Sequence, residues 1–223
     1  MKIGIIVAMD KELRQLQRLF ADGNVRVEKC GIGKVNAALG AQRMINEFHP
    51  DVIISSGCAG GNGDDVHVQD IVVSTELTYH DVYCGRAIDD TTVYGQVQGL
   101  PARYQTDAKL LEKAVSLSSD EIRIIPGLIV TGDWFVDSKD KMRSIIEKFP
   151  EAKAIDMESC AIAQTCHLNH VPFISFRVVS DMPLYDTDAS QYHNFWDTVA
   201  EHSFYATKSF VEKIKDEELK MKN

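Results

Sequence analysis

The sequence predicts an α/β sandwich, with helices packed against a mainly parallel or mixed sheet. Two observations carry this. Short apolar runs alternate with stretches of helical apolar spacing along the whole chain, and no repeat, linker or low-complexity tract divides its 223 residues. One domain over residues 1–223 is therefore expected.

The elements follow in order. Residues 2–7 form an apolar run and read as a buried strand, and residues 10–16 switch to helical spacing. After a short strand, Gly31-Ile32-Gly33-Lys34 opens a second helix, whose Val35, Ala38, Leu39, Ala41, Ile45 and Phe48 make a face broad enough to pack on a sheet. Residues 51–56 are a strand, with Gly57-Cys58-Ala59-Gly60-Gly61 as a tight glycine turn behind it, and residues 70–74 are the next strand. Residues 82–104 hold Gly85, Gly95, Gly99 and Pro101 with little periodicity, which predicts a long loop or irregular hairpin, often a functional segment. Residues 107–118 read as helix, 124–131 as strand, and 138–149 as helix ended by Pro150. Two acidic stations come next. Ala154-Ile155-Asp156-Met157-Glu158 runs into a helix from Ser159, and Phe173-Ile174-Ser175-Phe176-Arg177-Val178-Val179 ends in Ser180-Asp181. Strand, helix and strand read as a crossover unit that brings Glu158 and Asp181 to one sheet edge, where open sheets bind ligands. A helix from about 193 to 214 closes the pattern.

Composition excludes several function classes. A net charge of −9 leaves no basic patch to attract nucleic acid or an anionic membrane surface. No apolar run approaches the ~20 residues that span a bilayer, and no charged leader with an apolar stretch precedes the first strand. Five cysteines, odd in number and without C-x-x-C spacing, fit reduced thiols and a cytoplasmic location. Gly31-Ile32-Gly33 lacks the third glycine and the strand-ending acid of a dinucleotide fingerprint, and no triphosphate-binding loop or G-x-S-x-G elbow is present. Cys166, His167 and His170 have no further ligand at zinc spacing, so no metal is expected. Among the acids, Asp181 is the strongest candidate on the residues alone, because a wholly apolar strand delivers it. Glu158 also reads as a first-turn acid favoured by a helix dipole, and Glu12 as a solvated helix residue.

Six stretches, in order, resemble the bacterial 5′-methylthioadenosine/S-adenosylhomocysteine nucleosidases of the purine nucleoside phosphorylase superfamily. They are residues 1–12, 31–35, 57–61, 127–136, 156–158 and 177–181. The resemblance implies a three-layer sandwich with a central mixed β-sheet of the nucleoside phosphorylase type, a homodimer, a nucleoside substrate and no cofactor. It assigns Asp181 as general acid at adenine N7 with Ser180 orienting it, and Glu12 as the base for the attacking water. Glu158 with Met157 would hold the ribose hydroxyls, with Arg177 behind them. Phe135 would stack on adenine while the Val136 main chain reads its edge, and Ile32 and Met9 would face the 5′ substituent. Cys58 stands where the family has a serine near the ribose. Trp134 is bulkier than the usual residue. Residues 83–97 form a longer segment, and residues 19–30 are too short for the family's extra hairpin. A phosphorolytic nucleoside phosphorylase is the enzymatic alternative, and a nucleoside-binding module without turnover the non-enzymatic one. Against phosphorolysis, Ala8-Met9-Asp10-Lys11-Glu12 puts an acid where phosphate needs glycine-presented N–H groups and arginines.

Overall fold

The computed structural model describes residues 1–20, 23–85, 87–185, 189–198 and 204–221. Its strands are β1 (Ile3–Val7), β2 (Val25–Lys29), β3 (Val52–Gly61), β4 (Ile71–Tyr79), β5 (Tyr104–Gln105), β6 (Ile124–Thr131), β7 (Ala152–Asp156) and β8 (Phe173–Asp181). Its helices are α1 (Asp10–Gln17), α2 (Lys34–Phe48), α3 (Ala108–Val115), α4 (Lys139–Ile146), α5 (Ser159–Leu168), α6 (Ser190–Thr198) and α7 (Tyr205–Met221).

All eight strands belong to one mixed sheet. The side-chain period of two along a strand sorts its residues between the two faces. Ile3, Ile5 and Val7 join one apolar cluster with Leu16, Leu110, Phe195, Phe210 and Ile214, so α1, α3, α6 and α7 cover that face. Ile6 and Ile53 join a second cluster with Ala37, Ala41, Met44 and Ile162, so α2 and α5 cover the other. A smaller cluster seats α4 through Met142 and Ile145 on Leu128 and Val130. The expected three layers are present.

The sheet also closes on itself. Strand β3 pairs with β1, β7 and β8; β8 continues to β4, β4 to β6, and β6 to β7. Strands β3, β8, β4, β6 and β7 therefore form a ring, with β1 and β2 as an extension from β3.

Four expectations are corrected. Residues 57–61 are not a turn but the second half of β3. None of these glycines has a positive φ; they are small because neighbours press on them. Strands β7 and β8 do not pair side by side as a crossover unit. Each pairs with β3, one antiparallel and one parallel, so the ring rather than a crossover joins their ends. The single helix expected over 193–214 is interrupted, since Phe204 lies in a turn between α6 and α7. The strand expected over 70–74 runs on to Tyr79 because β6 pairs along its length past a bulge near Thr75. Residues 82–103 carry no helix or strand among the described residues, as their weak periodicity predicts.

Candidate active site

Strand β3 organises the site. Its residue Gly60 is in register with Ile155 of β7 and with Asp181 of β8, so three strands converge there. A cavity of about 110 Å³, open to solvent, lies at this junction. Met9, Glu12, Ile32, Cys58, Phe135, Val136, Met157, Glu158, Ser180 and Asp181 all border it. Arg177 does not. It is buried in the wall behind.

Glu12 is the third residue of α1, where a side chain folds back over the helix start. Its Oε2 accepts the Ala8 and Met9 amides at 2.8 and 2.9 Å, and its Oε1 accepts the Cys58 amide at 3.0 Å. Only 2% of the residue is exposed, so the solvated helix acid of the polar pattern is in fact interior. Burial raises its pKa, against the opposing pull of the Arg177 guanidinium and these three amides. A Cβ on Gly57 would lie 2.6 Å from Glu12 Oε1 and 2.4 Å from Arg177 Nη1. The glycine thus leaves the space in which these two groups approach.

Arg177 is anchored by a buried ion pair. Its Nε donates to Asp156 Oδ2 at 2.6 Å and to Ser159 Oγ at 3.1 Å, and its Nη2 donates to Ser55 Oγ at 2.8 Å. Asp156 also accepts from the Thr131 hydroxyl at 2.5 Å. A buried arginine stands only with such partners. Around this one cation sit three carboxylates, Asp156, Glu158 and Glu12. Glu158 precedes α5, and its Oε1 accepts the Gly33 amide at 2.9 Å. Burial, and then the nearby Asp156 charge, push its pKa up to about 8. A carboxyl this close to neutrality responds strongly to polar groups placed against it.

Asp181 ends β8. The Ser180 hydroxyl donates to its Oδ1 at 2.7 Å and so orients the carboxyl group. A Cβ on Gly60 would lie 3.6 Å from Asp181 Oδ2. On the opposite wall, the Phe135 ring meets the Tyr192 ring edge-on at 5.4 Å, and the Tyr192 hydroxyl donates to Met9 Sδ at 3.7 Å. Trp134 also borders the cavity, and Pro183 borders it beside Gly60, where an added Cβ would lie 2.9 Å from the proline ring. Cys58 borders the cavity with its thiol pKa raised, first by burial and then by Glu12.

Sequence reasoning gave no role to Tyr192, Pro183 or Asp156. Tyr192 comes from a polar stretch of α6 with no motif to mark it. Asp156 left a usable signal, because an arginine inside the apolar run of β8 requires a buried acid, and the other acidic station supplies one.

The Phosphorylase superfamily profile matches residues 18–214. A 5′-methylthioadenosine/S-adenosylhomocysteine nucleosidase of Anoxybacillus flavithermus is 36% identical over 238 aligned positions, covering 96% of this chain and 99% of that protein. Among solved structures, the Neisseria meningitidis nucleosidase in complex with methylthio-immucillin-A aligns with a TM-score of 0.84 at 34% identity, covering 94% of this chain and 98% of that one. The Colwellia psychrerythraea nucleosidase in complex with adenine gives 0.86 at 30% identity, covering 96% and 95%. With most of its length matched both by the profile and by these relatives, the chain belongs to the 5′-methylthioadenosine/S-adenosylhomocysteine nucleosidase family of the phosphorylase superfamily.

Proposed function

We propose that this protein is an N-glycosyl hydrolase that cleaves 5′-methylthioadenosine, S-adenosylhomocysteine and related 5′-modified adenosines. Water is the second substrate, and the products are adenine and the 5′-substituted ribose. The observation that carries this is the position of Glu12. It fills the loop after β1 and takes up the Ala8 and Met9 amides that a phosphate would otherwise use. Related nucleosidases bound to adenine and to methylthio-immucillin-A support an adenine nucleoside as the ligand.

The chemistry divides between two ends of the cavity. Glycosidic cleavage leaves the bonding electron pair on the purine and positive charge on the ribose. Asp181 donates a proton to N7, so adenine leaves neutral, and Ser180 fixes the carboxyl's orientation. Glu12 removes a proton from water as its oxygen bonds to C1′. Burial raises its pKa and makes it a stronger base than a free carboxylate. Glu158 and Met157 hold the ribose hydroxyls, with Arg177 as the charge behind them. Phe135 stacks on the base, Val136 reads its edge through the main chain, and Met9, Ile32 and Cys58 line the sugar and its 5′ side.

Residues 1–223 act as one nucleosidase domain in this proposal, and as a homodimer. The apolar Ile32, Val35, Leu39 and Leu168 are each more than half exposed around α2 and α5, and they suit burial against a second copy. Five free cysteines fit a reducing cytoplasm. No helix among the described residues is long and apolar enough to cross a membrane.

The test is turnover of methylthioadenosine in phosphate-free buffer. Adenine and methylthioribose are expected, with no acceleration by added phosphate. Asp181→Asn should reduce kcat by about 10²–10⁴ while the fold is kept. A ribose-1-phosphate product would establish phosphorolysis instead, and tight binding without release of adenine would mean a binding module.

A further inference from the structure

Outside the cavity lining, three residues from three separate elements form a closed hydrogen-bonded ring. Lys34 Nζ, at the start of α2, donates to both carboxylate oxygens of Asp81 at 2.8 Å. The Lys34 backbone amide donates to Asp133 Oδ1 at 2.8 Å. The Asp133 amide donates back to Asp81 Oδ2 at 2.9 Å. The Asp81–Lys34 pair is well shielded, with side chains 11% and 23% exposed.

Each member sits next to a residue that faces the cavity. Lys34 follows Gly33, whose amide binds Glu158, and Ile32, which lines the pocket. Asp133 precedes Trp134, Phe135 and Val136, which form the opposite wall. The loop carrying that wall is packed from below as well. A Cβ on Gly132 would come within 2.3 Å of the His80 ring, and Trp134 meets the same ring edge-on at 5.5 Å. On Gly33, at φ +92°, a Cβ would lie 2.9 Å from Asp133 Oδ1, so the two loops touch directly.

We infer that Asp81 is a positioning residue which, through Lys34 and Asp133, sets the distance between the ribose wall at Gly33–Glu158 and the base wall at Phe135–Val136. This rests on the nucleosidase reading for the identity of the ligand. Loss of the carboxylate leaves Lys34 Nζ with its longer 3.7 Å pair to Asp133 Oδ2 and its contact with the Tyr79 ring, and takes the acceptor from the Asp133 amide, so both walls shift and the nucleoside is held less well before any proton moves. The Gly33 amide is also the donor that favours ionised Glu158, so its displacement makes that carboxyl harder to ionise.

Asp81→Asn, Lys34→Met and the double variant test it, read by calorimetric affinity for a non-hydrolysable 5′-methylthio adenosine analogue and by steady-state kinetics. Each single variant should weaken analogue binding and raise KM about tenfold, with a smaller change in kcat. The double variant should cost clearly less than the product of the two singles, because both remove the Lys34–Asp81 pair. The acidic limb of kcat/KM should move to higher pH. Lys34→Arg, which keeps a charged donor, should restore most of the affinity. If Asp81→Asn does not fold, Lys34→Met against Lys34→Arg decides the same question. Single-variant effects that multiply in the double, or unchanged affinity with only a lower melting temperature, would overturn the inference. A wild-type protein that binds the analogue but releases no adenine from methylthioadenosine would contradict the hydrolase reading, and the analogue affinities of the variants would still decide the role of the ring.

Discussion

Gly57 has an ordinary backbone conformation, so its missing side chain answers a demand for space. The atoms a Cβ would strike are the Arg177 guanidinium and the Glu12 carboxylate, each held by several hydrogen bonds. Neither can retreat cheaply. Gly57→Ala should lower stability by roughly 1–3 kcal/mol, as overpacking does, and reduce kcat by at least about tenfold by pushing Glu12 off its amides. Urea denaturation and single-turnover kinetics check this, and wild-type kcat in the alanine variant would refute the arrangement. Legibility at this scale was uneven. Asp181 could be read from its apolar strand, since a chain that emerges from a core and stops on an acid holds that acid at the rim. Glu12 could not be read from periodicity, which places it on a polar helix face. Its burial depends on Gly57 and Arg177, far away in sequence, and only the family resemblance pointed to it.

At the scale of elements, strands with strong alternation or long apolar runs were the legible ones. The errors share a cause in tertiary pairing. The glycine-rich half of β3 looks like a turn locally, yet it is extended because β7 and β8 pair with it on either side. Strand β5 has only two residues, too few to leave a pattern. Helix α2 was legible as an element, but the packing face read for it was wrong in part, since of Val35, Ala38, Leu39, Ala41, Ile45 and Phe48 only Ala41 is fully buried. Ala37, Ala41 and Met44 pack inward, whereas Val35 and Leu39 are 70% and 65% exposed. Two apolar residues four apart on the outer face make a ridge suited to a partner. Leu39→Glu should convert the proposed dimer to a monomer in sedimentation-velocity experiments, while its circular dichroism stays unchanged. A wild-type protein that sediments as a monomer would remove the assembly proposed for that ridge.

For the molecule as a whole, the crowded carboxylates set how stability depends on pH. Glu158 is raised from an ordinary value of 4.5 to about 8, mainly by burial. Between these values the folded protein keeps a proton that the unfolded chain has released. The contribution of this group is fully present below 4.5 and is lost as pH rises through about 8. Glu12, shifted in the same direction, adds to the trend. The unfolding free energy of Glu158→Gln should therefore fall less than that of the wild type between pH 5 and pH 8.5, by on the order of a few kcal/mol at the upper pH, and its melting temperature should fall less in step. Thermal melts across that range check it, and parallel curves would show that Glu158 ionises normally. The closed ring of strands carries a consequence of another kind, for solubility. A sheet's open edges are where foreign strands add and aggregates begin, and ring closure gives each of the five ring strands a neighbour on both sides. The edges that remain among the described residues are β2, paired with β1 alone, and the two-residue β5. Arg26 and Glu28 on β2 pair with Glu47 and Arg43 of α2, and the β5 margin holds Arg103, Gln105 and Glu76 in mutual contact. A foreign strand arriving at either edge meets charge already engaged in pairs, so the protein should tolerate high concentration while partly exposing the aromatic residues its cavity needs.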